Sequence, residues 1–200
     1  MLAATLVAPG HSMVVPLMPK LIATQDGAEK QDCECNAARR WLTMHTTRVE
    51  APRPVCLGDD LFACQPICEA VLASDADFLF TANQEFHKTL YDFMTGATLE
   101  DMSRPGKEGA GKLTFRYRWF SDTPLRESKD ALNVNWIGVT ICDAKEKPTY
   151  DRTFITSLKF TRENVGESAA CARARWKIEN ESFNILKNND YHLEHNFGHG

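Results

Sequence analysis

Residues 54–81 read PVCLGDDLFACQPICEAVLASDADFLFT, and this stretch decides the fold class. Pro54-Val-Cys-Leu57 is a brief apolar strand of the buried kind that stops at Gly58-Asp59-Asp60. A helix follows over about Cys64–Ala73, and Phe78–Thr81 returns as a second strand. Strand, helix, strand in this order argues for an α/β architecture.

Working outward, Leu2–Val7 and Met13–Leu17 are apolar runs joined by Pro-Gly-His-Ser, a hairpin signature. Pro16 and Pro19 end the second run or hold it at a sheet edge. Gln25-Asp-Gly27 is a turn, and a helix is predicted over about Lys30–His45, with Cys35, Ala38, Trp41 and Leu42 on one face. Downstream, Thr89–Met94 reads as a short helix and Gly96–Gly111, with Arg104-Pro-Gly106, as a mobile polar loop. Lys112–Phe120 alternates strictly, with Leu113, Phe115, Tyr117 and Trp119 on one face and Thr114, Arg116 and Arg118 on the other. Val134–Cys142 and Thr153–Leu158 continue as strands around an Asp143–Pro148 turn. Residues 112–158 are therefore read as an antiparallel insert. Thr161 then caps a final helix to about Lys187, with Glu163 favourably placed in its first turn. The predicted whole is a mixed sheet flanked by helices.

Two hundred residues suit one domain. A hydrophobic share of 43% with 25% charged residues is that of an ordinary globular chain, and excludes the disordered and fibrous classes. The net charge of −4 offers no global attraction to nucleic acid or anionic lipid, so any such contact needs a local basic patch. No apolar run reaches the ~18 residues of a membrane span. The first eight residues lack a basic leader and meet Pro9-Gly10, which reads as strand and not as a signal peptide. Seven cysteines cannot all pair within one chain, which favours reduced thiols and a cytoplasmic compartment.

Few residues invite chemistry. Asp59 stands at the end of a core strand, where ligands bind in open α/β sheets. A carboxylate there is a candidate metal ligand, or else Asp59 or Asp60 caps the following turn. Glu179 borders the apolar stripe of the last helix. It is either a second ligand or the partner of Arg175 in an i, i+4 ion pair. Cys33 and Cys35, Cys64 and Cys68, and His192, His195 and His199 raise a zinc alternative, at spacings that fit known zinc modules poorly. Phe115, Tyr117 and Trp119 suit either a sheet core or base stacking, and Arg116 and Arg118 would then reach phosphates. Nucleotide-binding glycine loops and serine-hydrolase elbows are absent from the sequence.

Four longer segments carry a resemblance: Gln25–Glu34 (QDGAEKQDCE), Gly58–Ala63 (GDDLFA), Arg175–Lys187 (RWKIENESFNILK) and Leu193–Gly200 (LEHNFGHG). Together they resemble bacterial insertion-sequence transposases of the DDE class, close to the ISNCY group, over nearly the whole chain. The resemblance implies an RNase H-like core in which three acids hold two divalent ions, Mg2+ or Mn2+. Asp59 matches the second acid and Glu179 the third, while Arg175 and Lys187 match basic residues that grip DNA. The implied activity is cleavage and strand transfer at element ends by two-metal phosphoryl transfer. Its implied partners are element-end and target DNA, and further copies of the chain in a synaptic complex at the nucleoid.

Two departures accompany the match. The wider pattern is Tyr-x2-Arg-x3-Glu-x6-Lys, whereas Ala172 stands at the tyrosine position and Lys187 comes one residue late. The Asp-Gly-Thr segment that carries the first acid has no counterpart upstream of Gln25, and Asp26 and Asp32 are poor substitutes. The expectation is a catalytic-domain fragment without its first core strand, unstable or inactive alone. The alternative is a non-catalytic inhibitor or subunit partner of the full-length enzyme.

Overall fold

The computed structural model describes residues 2–20, 22, 33–45, 53–108, 111–178 and 180, the side chain of Glu108 excepted. The N-terminal hairpin forms as expected but is short. Strand β1 (Thr5–Leu6) pairs antiparallel with β2 (Val15–Pro16), and Leu2 bridges Lys20 beyond it. Gly10 turns this hairpin at φ +75°, a conformation glycine adopts without strain. Helix α1 (Glu34–His45) follows, and the indole N–H of Trp41 donates to the Met18 carbonyl (2.8 Å), tying hairpin to helix.

The main sheet has six strands in the order β3-β4-β8-β7-β6-β5. Strand β3 (Val55–Gly58), helix α2 (Gln65–Ala73) and β4 (Asp77–Thr81) form the strand–helix–strand unit read from residues 54–81, and β3 and β4 pair in parallel. Arg53 fastens the amino ends of this pair. Its Nε donates to Asp77 (2.9 Å), Nη1 to Asp75 (2.8 Å) and Nη2 to the Ala76 carbonyl (3.1 Å). Helix α3 (Lys88–Met94) leads to β5 (Glu100–Glu108), β6 (Gly111–Pro124), β7 (Asn133–Cys142) and β8 (Pro148–Thr156), all antiparallel.

Two expectations change here. Residues 96–111, read as a mobile loop, contain β5, which pairs with β6 along its whole length from Glu100↔Trp119 to Glu108↔Gly111. Pro105-Gly106 signals a loop, yet β5 is an edge strand, where a missing N–H is tolerated on the open side. Gly106 is required there: a Cβ would lie 2.3 Å from the Phe115 ring. The strands of residues 112–158 are antiparallel as expected, but they form no separate insert. Through β8 they hydrogen-bond directly to β4 and supply half of the sheet.

Both faces of the sheet are covered. On one, Ala38 and Leu42 of α1, Ile67, Cys68 and Val71 of α2, and Leu90 and Met94 of α3 pack with Phe78, Phe80, Val134, Trp136 and Ile155. On the other, Val165, Ala169 and Ala172 of helix α4 (Val165–Arg173) pack with Leu79, Tyr117, Trp119, Ile137, Val139, Ile141 and Phe154. Strand alternation sends Trp136 to the first core and Ile137 to the second. The aromatic ladder is thus a core face: Trp119 is 0% and Tyr117 6% exposed. That burial excludes both from stacking on bases.

The final helix is also shorter than expected. It starts at Val165, because Thr161 and Asn164 close a turn before it: the Thr161 N–H donates to Asn164 Oδ1 (2.8 Å), and Thr161 Oγ1 accepts from the Glu163 and Asn164 N–H groups. It ends at Arg173, where bonds of the i to i+3 kind tighten Ala174–Arg175 into a turn before the short helix α5 (Trp176–Ile178). No helix among the described residues is long and apolar enough to cross a membrane.

Gly106→Ala is expected to lower the unfolding free energy by about 1–3 kcal/mol through overpacking against Phe115. The stiffer unfolded chain offsets only part of this. A fall in urea midpoint with an unchanged m-value checks it, while Ser103→Ala on the same strand should stay within ~0.5 kcal/mol of wild type.

Candidate functional site

The carboxyl ends of the parallel pair build the candidate site. Gly58 brings β3 close to β4, since a Cβ there would lie 2.8 Å from the buried Phe80 ring. The chain then leaves the sheet through Asp59 and Asp60, whose side chains do different work. Val55 and Leu57 pack toward α4, and Asp59 is the first residue beyond the strand. Asp59 is exposed. Its Oδ1 accepts the Leu61 N–H (3.1 Å) and its carbonyl accepts the Phe62 N–H (3.1 Å), which sets the turn. The capping reading is therefore realised, and Oδ2 accepts no hydrogen bond among the described residues.

Asp60 is the mechanical residue. Its Oδ1 accepts the Asn83 backbone N–H (2.9 Å) and its Oδ2 the Asn83 side-chain amide (3.0 Å). His87 Nε2 lies 3.0 Å from Oδ1, and because a carboxylate only accepts, that nitrogen carries the proton. The Asp60 and His87 side chains are 17% and 11% exposed. The Asp60 carboxylate thus clasps the loop after β3 to the loop after β4. A second network holds that loop from below. The Tyr91 hydroxyl donates to the Ala82 carbonyl (2.8 Å) and Thr153 Oγ1 donates to it as well (2.7 Å), while the Trp136 indole N–H donates to Tyr91 (3.2 Å). Sequence reading missed Asn83 and His87. The available signal was position: both follow β4 as Asp59 and Asp60 follow β3.

Of the other expected residues, Arg175 lies in the turn between α4 and α5, half-buried. Glu179 and Lys187 lie outside the described residues, as do Asp26, Asp32, His192, His195 and His199. The neighbouring Lys177 is buried and turns inward, its Nζ donating to the Ala8 and His11 carbonyls of the hairpin turn. Among the described residues no group of three or more His, Cys, Asp or Glu side chains stands close enough to hold a metal ion.

Cys35, Cys56, Cys64 and Cys68 pack in or against the first core, while Cys33 is exposed. Cys68 is fully buried in the first core, and burial holds its thiol well above the ordinary range. Cys35 is pushed up to about 11 by burial, with the neighbouring Cys64 and Cys33 adding to the effect. Cys56 is likewise pushed up to about 11 by burial, with Asp77 contributing.

Comparison with known proteins brings no relative to these geometries: no known family model matches the chain, and no curated protein matches it.

Two outcomes follow. Asp60→Ala should destabilise the chain by about 1–3 kcal/mol by orphaning the Asn83 donors, and Asp59→Ala by under ~1 kcal/mol, both read from chemical denaturation. The raised Cys35 and Cys56 values favour the neutral thiol in the folded state. Their stabilisation is complete below the ordinary value of 9.0 and is lost as pH rises toward about 11. The melting temperature should fall across that window, and replacing both residues with alanine should flatten the fall.

Proposed function

We propose that this chain holds part of the catalytic machinery of a DDE-type transposase, the class of enzyme that cleaves and joins DNA at the ends of an insertion sequence, and that without the first acid it is inactive alone. The mixed sheet is read as RNase H-like. The observation that supports this reading is Asp59: an exposed carboxylate at the carboxyl end of a parallel strand, where α/β sheets bind ligands. The resemblance in the sequence gives the same residue the role of second acid.

The donor chemistry fits in kind. Magnesium-class cations take oxygen ligands, and Asp59 presents one while Asp60 is saturated by Asn83 and His87. The set needs Glu179 as its second member, and the remaining acid has no assigned residue. Bound divalent ions would supply charge neutralisation at phosphorus and an activated oxygen nucleophile. The protein's part is to hold Asp59 rigid through the Leu61 turn and the Asp60 clasp, with Arg175 and Lys187 reaching the DNA backbone. DNA ends, target DNA and further copies of the chain are the proposed partners.

Titrating the full 200-residue chain with Mn2+, and following free ion by electron paramagnetic resonance, tests this. Asp59→Asn and Glu179→Gln should each weaken binding at least ~10-fold, while Asp101→Asn should not. Wild-type affinity in both acid variants would overturn the reading.

A further inference from the structure

Thiols from two distant segments meet beside the turn that carries Asp59. The Ala37 N–H donates to the Cys33 carbonyl (3.0 Å) as α1 begins, and Cys35 lies in the first turn of that helix. Cys64 is the residue that opens α2. Its backbone is extended, at φ −122° and ψ 149°, and its carbonyl accepts the Ile67 (3.1 Å) and Cys68 (3.0 Å) N–H groups. A serine or aspartate at such a position would spend its side chain on capping the helix. Cys64 makes no side-chain capping bond, and its thiol is instead hydrogen-bonded with the Cys35 thiol.

A second contact fixes Cys35 in this place. Its Sγ donates to the Leu61 carbonyl (3.7 Å). Leu61 is also the residue whose N–H is accepted by Asp59 Oδ1 (3.1 Å). The Cys35 thiol of α1 therefore touches both ends of the Leu61–Cys64 segment, which links the candidate carboxylate to α2. Cys35 and Cys64 both pack against the first core, and each keeps part of its surface in solvent.

Other cysteines are poor partners for these two. Cys68 follows Cys64 by one helical turn and is fully buried. Cβ atoms four residues apart on a helix stand about 5–6 Å from one another, whereas a disulfide needs about 3.8 Å. Cys33 is exposed and two residues from Cys35, a spacing at which helical side chains do not face each other.

We infer that Cys35 and Cys64 are a site of reversible oxidation, joined into a disulfide by exchange with small disulfides. The Cys64 thiolate attacks one sulfur of the small disulfide. That S–S bond breaks, and one half leaves as a thiolate that takes up the proton Cys64 lost. Cys35 then gives up its proton and attacks the Cys64 sulfur of the mixed disulfide, and the second half departs as a thiol. Two protein thiols are oxidised and one small disulfide is reduced to two thiols. Burial pushes the Cys35 thiol up to about 11, which suits it to the second, intramolecular attack and not to the first. The bridge closes a loop of about 30 residues in the unfolded chain and fastens α1 to the Asp59 turn. It stands apart from the transposase reading, since neither metal nor DNA takes part.

The test incubates the full chain, folded, with oxidised glutathione, blocks the remaining thiols with iodoacetamide and maps the non-reduced peptides by mass spectrometry. A peptide containing Cys35 should be joined to one containing Cys64, with fragmentation placing the bond on those two sulfurs, and dithiothreitol should release it. The bridged chain should melt on the order of 5 °C above the reduced one. Cys33→Ser should keep both the bond and the shift, and Cys64→Ser should lose both. The wild-type map is read without any variant, so it stands even where a variant folds poorly. A bond placed on Cys33 or Cys68, glutathione adducts that never resolve into the Cys35–Cys64 bond, or a bond that leaves the melting temperature unmoved would overturn the inference.

Discussion

The parallel pairing of β3 with β4 is the constraint on which the rest of the structure depends. Parallel strands cannot be joined by a tight turn, so α2 must cross between them and cover one face. The pair is closed at both ends by side chains. Arg53 ties its start to Asp75, Asp77 and the Ala76 carbonyl. Asp60 ties its finish to Asn83 and His87. Between these clasps the backbone ladder runs from Val55↔Asp77 to Gly58↔Phe80. Strand β8 then docks antiparallel on β4, and β7, β6 and β5 follow in turn.

Alternation along these strands divides the labour between the two faces. The face carrying Phe78, Phe80 and Trp136 is closed by α1, α2 and α3, and receives Asp60 and His87 at its rim. Among the described residues, α4 is the helix that closes the face carrying Leu79, Ile137 and Phe154. Adjacent aspartates in sequence thus take different roles, one as a structural clasp and the other exposed to solvent. Nothing in the dipeptide itself distinguishes them.

Much of the fold was legible because local pattern and final environment agree. Residues 54–81 read as strand, helix and strand, and fold so. The alternation of Phe115, Tyr117 and Trp119 announced a buried face, and Trp119 is fully buried. Legibility failed where tertiary context overrode local chemistry. Pro105-Gly106 looks like a loop, but an edge strand accepts proline and the Phe115 ring demands glycine. The Thr161 cap suggested one helix to about Lys187, yet the chain turns at Ala174–Arg175, and Lys177 buries its ammonium against the hairpin carbonyls. The candidate site was half legible: Asp59 could be placed at a strand end, while Asn83 and His87 carry no local mark.

The amino-acid sequence by itself determined most of the element types, β5 excepted, with the alternation of the β-rich block, the hairpin and the position of Asp59 at the end of a core strand. These follow from periodicity, which is a property of neighbours along the chain. Only the tertiary structure decided that the β-rich block joins the main sheet and that Asp60 and not Asp59 is the clasp. Those outcomes depend on register between strands far apart in sequence. Register is set by the summed packing of two cores, to which no single segment holds the key.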